Sequence, residues 1–348
     1  MDKIIIYSAI NTKIKVLERE FLEPVDYVNL LRMRSIPDAV RYLKENLYYK
    51  KILEEINPDT VSRRDIEDIL KRSMINNIDK LIHYFHNDYR KFVRSLYMKY
   101  EIEDLKTLAR AIFNGKKPQE IETPLSFLGK YSQIETDILF NANTIRDLIY
   151  SLEGSEFYEF LIPLVDGRRE NLFRFEMALD TSYFNIIQSR KYKIFPRDRE
   201  LLKKWEGLVA DLYNLQWIYR GKKFYRLLPE ELLNYTINFG DKLNYKDRQR
   251  MCYTRNLEEL YQMTLNSPYG FLFKKEEIYT DIFMERRINR FIYYSLRELS
   301  RREPLSIIQI VEYIFLYELE VKDIIAIIES LRYGLPSEET RKFLVKAI

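Results

Sequence analysis

The most regular acidic spacing in the chain belongs to Glu101 and Asp104, Asp211 and Asn214, and Glu320 and Asp323. Within each pair the residues lie three apart, so on a helix they share one face. Adjacent carboxylates suit general acid–base work or a cation site. Catalysis, however, asks for one tuned pair with a partner base. Three near-equal pairs, one of them carrying Asn, do not make a tuned pair. They suit a structural duty better, in which the first acid bonds a neighbouring helix start or an arginine and the copies pack alike.

The remaining reactive residues are few. His83 and His86, the only histidines, would share a helical face as a minimal metal pair with Asp88 nearby. No cysteine pair or third histidine supports that site, and ordinary helical histidines are the plainer reading. Cys252 is the only cysteine, which rules out an internal disulfide and fits a reducing cytoplasm. No glycine-rich loop ends in Lys-Ser/Thr, so the chain is not expected to hydrolyse ATP. Glu153–Phe157 lacks a nucleophile elbow. No catalytic residue, cofactor or metal is therefore expected.

Composition narrows the function classes further. The 348 residues carry 57 basic and 53 acidic side chains, a formal net charge of +4. That balance does not favour nucleic acid, which calls for a concentrated basic face. The short basic clusters at Ser62–Asp65, Asp166–Asn171 and Leu299–Pro304 are each interrupted or followed by acids and read as solvated helix starts. The apolar run near Tyr7 lacks the length and basic start of a signal peptide. Leu305–Val321 is the most apolar long window, yet it contains Glu312, Glu318 and Glu320. Acids are expensive in lipid, so this window is expected to be a buried helix, with no membrane insertion.

The elements that must position the acids are helices. Gly is scarce (9 residues), and no segment alternates polar and apolar residues long enough to demand a sheet. Leu105, Leu108 and Ile112, with Ala109 and Phe113, recur at helical spacing, as do Ile324, Ile327, Ile328 and Leu331. Gly115, Gly221 and Gly334 follow their apolar runs as helix stops. Starts are expected at Asp26, Ser35 and Ser62, with Pro37 in a first turn.

Those helices recur. Glu101, Asp104, Leu105, Leu108 and Arg110 match Asp211, Asn214, Leu215, Ile218 and Arg220, then Glu320, Asp323, Ile324, Ile327 and Glu329. The anchor moves 110 residues from Asp104 to Asn214 and 109 from Asn214 to Asp323. Val40, Leu43, Tyr49 and Ile52 match Ile149, Leu152, Tyr158 and Leu161, and Leu260, Met263, Tyr269 and Leu272. Between them Glu67, Leu70 and Met74 match Glu176, Leu179 and Tyr183, with Asp281, Met284 and Ile288 a weaker third copy. The chain is thus read as all-α, in helical copies 1–121, 122–231 and 232–348, with seams near Ile121–Pro124 and Pro229–Tyr235. Truncating Glu176 is expected to cost ~1–3 kcal/mol if it leaves a buried partner unsatisfied.

Together these motifs resemble the C subunit of archaeal and bacterial A/V-type rotary ATPases, the counterpart of the d subunit in eukaryotic vacuolar ATPases. Tyr7, Asn11, Lys13 and Lys15 in the opening segment, Phe173–Ile187 with its Glu-x-x-Leu-Asp-x-x-Tyr-Phe pattern, Asp211–Phe224 and Glu318–Pro336 carry the resemblance in order over nearly the whole chain. Lys13 and Glu329 stand where that family commonly has Arg.

The resemblance implies three similar helical subdomains around a pseudo-threefold axis, forming a funnel on the cytoplasmic face of a membrane rotor ring. It implies central axle subunits of the V1/A1 sector and the proteolipid ring as partners, and a non-catalytic role passing torque between them for ATP-linked proton or sodium transport. A helical scaffold with unrelated partners is the alternative. A metal- or carboxylate-dependent hydrolase and a nucleic-acid binder are the further readings to be tested.

Overall fold

In the computed structural model, residues 3–121, 125–128, 131–132, 134–166, 171–273 and 281–346 are described, and their regular elements are all helical. The long helices are α1 (Lys3–Glu18), α2 (Arg63–Ile82), α3 (Met98–Phe113), α4 (Leu172–Lys191), α5 (Pro196–Arg220), α6 (Asp281–Arg302) and α7 (Ile308–Arg332).

Local chemistry sets their ends. Ser35 caps the helix Ile36–Glu45 by accepting the Asp38 N–H at 3.2 Å, with Pro37 in the first turn. Ser62 and Asp65 exchange side-chain and backbone bonds just before and inside α2, a reciprocal cap that satisfies donors the helix cannot pair itself. Asp26 is not a helix start. It lies in the first turn of Pro24–Leu31, where its carboxylate accepts the Glu23 N–H at 2.8 Å.

Gly115 (φ 74°) and Gly334 (φ 64°) close α3 and α7 in the left-handed conformation that glycine adopts without strain. Lys116 N–H then reaches Ala111 C=O, and Leu335 N–H reaches Ser330 C=O, both at 2.9 Å. Gly221 does not stop α5. Its φ is −59°, and the chain continues through a π-helical turn, Gly221–Tyr225, to a left-handed Arg226 (φ 50°). This left-handed residue comes one position later after Asn214 than Gly115 and Gly334 come after their aspartates. The π turn absorbs one extra residue. Position 221 is crowded instead: a Cβ there would lie 2.5 Å from Leu232 Cδ1, so that side chain would have to shift.

The chain divides into two compact units, Met1–Met74 with Phe195–Ile348, and Ile75–Ile194. In the second unit α4 packs on α3 and on Asn87–Leu96. Leu105, Leu108 and Ile112 meet Leu148, Leu152, Leu161 and Leu179 in its core. Phe113, expected on that apolar side, is half exposed. In the first unit α5 packs on α6 and α7, and α7 also packs on α1 and Ile36–Glu45. Leu212, Leu215 and Ile218 share a core there with Leu260, Tyr269, Ile288 and Ile292. The apolar window around Ile308–Val321 is buried in α7. No described helix is long and apolar enough to cross a membrane. The seam residues Glu122–Pro124 and the basic run 167–170 lie outside the described residues, while Pro229–Asn234 is itself a helix.

Candidate functional site

The second motif position does the same work in every copy. Asp104 on α3 accepts main-chain N–H groups of Ser126 (3.2 Å), Phe127 (2.7 Å) and Leu128 (2.9 Å). Asn214 on α5 accepts the Ile237 N–H at 2.7 Å and donates to the Ile237 C=O at 3.0 Å. Asp323 on α7 accepts Val345 N–H (2.8 Å) and Lys346 N–H (3.0 Å). Each side chain fastens a non-helical segment that arrives 22 to 24 residues later. That segment has no ladder of its own, and buried main-chain N–H groups must find an acceptor. Asn serves as well as Asp because it returns a donor to the carbonyl. Burial pushes the Asp323 carboxyl up to about 6, against the two N–H bonds that favour its charge.

The first position is more varied. Asp211, fully buried, accepts Asp241, Lys242 and Leu243 N–H at 3.1, 2.6 and 3.2 Å and the Tyr269 hydroxyl at 2.8 Å. Glu320, also fully buried, accepts the Leu22 N–H (3.0 Å), the Tyr49 and Tyr27 hydroxyls and the Lys346 ammonium (2.7 Å). So Tyr49 and Tyr269, equivalent in sequence, each close on the first acid of a motif helix: Tyr269 on the one before it, Tyr49 on the last of the three. Tyr158 sits at the equivalent place relative to Glu101, yet among the described residues no bond joins the two. Glu101 instead accepts the Ser132 hydroxyl.

Burial is the main cause that raises the Glu101 carboxyl to about 7, and the nearby Glu156 and Asp104 charges add to it, against the Ser132 bond. A carboxyl whose folded pKa lies above its unfolded one contributes stability below the unfolded value and loses it as pH rises through the folded value. Glu101→Gln should therefore match the wild type near pH 4 and exceed it by about 3 kcal/mol at pH 8, with the change falling between about pH 4.5 and 7. Paired denaturant titrations across that range check this. A gain independent of pH would mean the carboxylate is not strained by burial.

The third layer is an ion pair between motif helix and its neighbour. Arg110 on α3 meets Glu176 on α4 at 2.7 Å. Arg220 on α5 meets Glu285 on α6 at 3.6 Å. On α7 the sign is inverted: Glu329 meets Arg63 on α2 at 3.1 Å, and Arg63 also holds Glu67. The third counterpart of Glu67 and Glu176 is thus Glu285, one helical turn beyond Asp281. The period from Glu67 to Glu176, carried on once more, lands on Glu285 and was the signal that could have found it. Because Arg110 is 48% exposed, Glu176→Ala leaves no buried orphan, and its cost falls below about 1 kcal/mol. Arg63→Ala should cost less than about 1 kcal/mol, because Glu67 keeps Lys71 (2.7 Å) and Glu329 keeps Arg332 (3.7 Å) as partly exposed partners. Glu329→Arg in that background should restore the loss, with Glu67 holding the new guanidinium as Glu176 holds Arg110. Melting curves of the single and double variants decide it.

The other sequence candidates do not assemble into a site. Helix α2 ends at Ile82, so the exposed His83 and His86 do not share a helical face; His83 contacts Arg90 and Asp79 instead. Burial pushes the Cys252 thiol up to about 12, which disfavours the nucleophilic thiolate. Arg63 and Arg302, from two of the basic clusters, are tied to Glu67 and Glu298.

Residues 10–343 match the profile of the ATP synthase (C/AC39) subunit family. The C subunit of the A-type ATP synthase of Methanocaldococcus jannaschii is 23% identical, with 97% of this chain and 86% of that protein aligned. Its namesake from Methanosarcina mazei is 23% identical over 97% of this chain and 92% of its own length. The one from Archaeoglobus fulgidus is 22% identical over 97% and 96%.

Proposed function

The chain belongs to the ATP synthase (C/AC39) subunit family, and from that premise we propose that it is a central-stalk subunit that couples the rotary axle to the membrane rotor ring. The match across residues 10–343 carries this reading. The subunit is non-catalytic: nucleotide chemistry and ion passage belong to other parts of the complex, and this chain passes torque between them. Its motif acids are engaged by donors of their own chain, which is structural work. Dense helix packing gives the stiffness that torque transfer needs.

The copies 1–121, 122–231 and 232–348 form three similar subdomains around a pseudo-threefold axis, giving a funnel that receives the axle's foot. Two contacts support closure of such a ring. Asp211 of the second copy takes Tyr269 of the third, and Glu320 of the third takes Tyr49 of the first. Head-to-tail contacts of this kind close a cycle when the last copy meets the first. The subunit sits peripherally on the cytoplasmic face, against the ring's loops.

Size-exclusion co-elution with the cognate axle subunits and the detergent-solubilised ring tests the proposal. A three-part complex that needs this chain is the expected result. Free elution of a folded chain from both partners would favour a scaffold with other partners.

A further inference from the structure

We propose that the cavity beside Glu101 receives a lysine side chain from a segment of another protein chain, whose ammonium pairs with the Glu101 carboxylate. The inference rests on the stalk reading above, since it needs a partner chain.

The comparison between copies carries it. Asp211 and Glu320 are each engaged by four donors of their own chain. Glu320 divides its four between both oxygens, while those on Asp211 all converge on Oδ2 and leave Oδ1 without a hydrogen-bond partner among the described residues. Glu101 is 7% exposed, and the Ser132 hydroxyl is the one donor bonded to it among the described residues. The tyrosine that closes the other two positions does not reach it. In its place lies a cavity of about 720 Å³ with Glu101 in its wall. Among the described residues, then, this nearly buried carboxylate keeps acceptor capacity, and such a group is costly unless a donor reaches it.

The third copy shows which donor suits the place. There Lys346 pairs with Glu320 at 2.7 Å, and its ammonium lies 5.2 and 5.3 Å from the ring centroids of Phe21 and Tyr27. The cavity at Glu101 offers the same surroundings. Tyr97 and Phe127 line it, with ring centroids 5.3 Å apart, and Met98 adds apolar wall. Such rings sleeve the methylene stem of a lysine and favour its charge. Glu135 and Glu153 line the cavity together with Lys91 and Arg94, and the Arg190 guanidinium is already held by Glu156. The volume far exceeds a bare ion and fits a side chain together with the backbone that bears it.

Carbodiimide chemistry on the co-eluting complex tests this, because the reagent joins carboxylates to amines in contact. The expected product links Glu101 to a lysine of another subunit, and Glu101→Gln removes it. Labelling of Glu101 by carbodiimide with glycine ethyl ester should fall about tenfold from isolated chain to complex, as for a site filled at about ten times its Kd. A co-eluting complex in which Glu101 labels as readily as in the isolated chain, or links only within its own chain, overturns the inference and leaves the stalk reading standing. Absence of any co-eluting complex overturns both.

Discussion

Asp211→Ala should lower the stability of the protein by about 4 kcal/mol, read as a shift of the denaturant midpoint at an unchanged slope. The substitution leaves the Asp241, Lys242 and Leu243 N–H groups and the Tyr269 hydroxyl without their acceptor, at a fully buried position. A buried donor left unpaired costs ~1–3 kcal/mol, and water entering the vacated space recovers part of the sum. All four donors converge on Oδ2, so Asp211→Asn, whose amide oxygen can take that place, should lose much less. Gly240→Ala offers an independent route to the same defect, because a Cβ there would stand 2.0 Å from Asp211 Oδ1 and displace the carboxylate. A loss below about 1 kcal/mol for Asp211→Ala would mean the segment finds other acceptors and the carboxylate is dispensable.

Much of the fold was legible because helical signals are local. Apolar spacing and the reciprocal cap at Ser62 each involve residues within a turn or two. Gly115 and Gly334 were readable as stops for the same reason: only the backbone conformation of that residue is at issue. Gly221 has an identical local signature and a different role. It packs closely against Leu232, and the helix carries on past it as a π turn. Sequence spacing cannot separate a glycine chosen for conformation from one chosen for contact.

The motif acids were legible as positions but not as partners. Asp104, Asn214 and Asp323 bond main-chain N–H groups, which every non-proline residue carries, so the partner leaves no residue-type trace in the sequence. The tyrosines show the converse limit. Tyr49, Tyr158 and Tyr269 sit at matching positions, yet among the described residues only the first and last reach a motif acid. Glu329 shows a third case. It departs from its copies, and the reason lies across the sequence at Arg63, a basic residue in the place needed to accept the reversed charge.

The same long reach makes Glu320 the most consequential acid of the chain. Glu320→Ala should cost about 3 to 5 kcal/mol, the loss seen when one partner of a buried ion pair is removed. It strands the Lys346 ammonium, the Leu22 N–H and the Tyr27 and Tyr49 hydroxyls together. The residues involved come from both ends of the chain, so the effect should be structural as well as energetic. The tail at Leu344–Lys346 is also held by Asp323 and by Arg286 and Arg290, which donate to the Leu344 and Val345 carbonyls. Loss of Glu320 should therefore loosen the tail without freeing it, and trypsin should cut at the exposed Lys342 several-fold faster at constant temperature. Lys346→Met separates charge from packing: in the Glu320→Gln background it should restore part of the loss, because removing both members of a buried pair is far milder than removing one. A double variant whose loss equals the sum of the two single losses would show that the two side chains act independently, and that the carboxylate is retained for its main-chain and tyrosine donors alone.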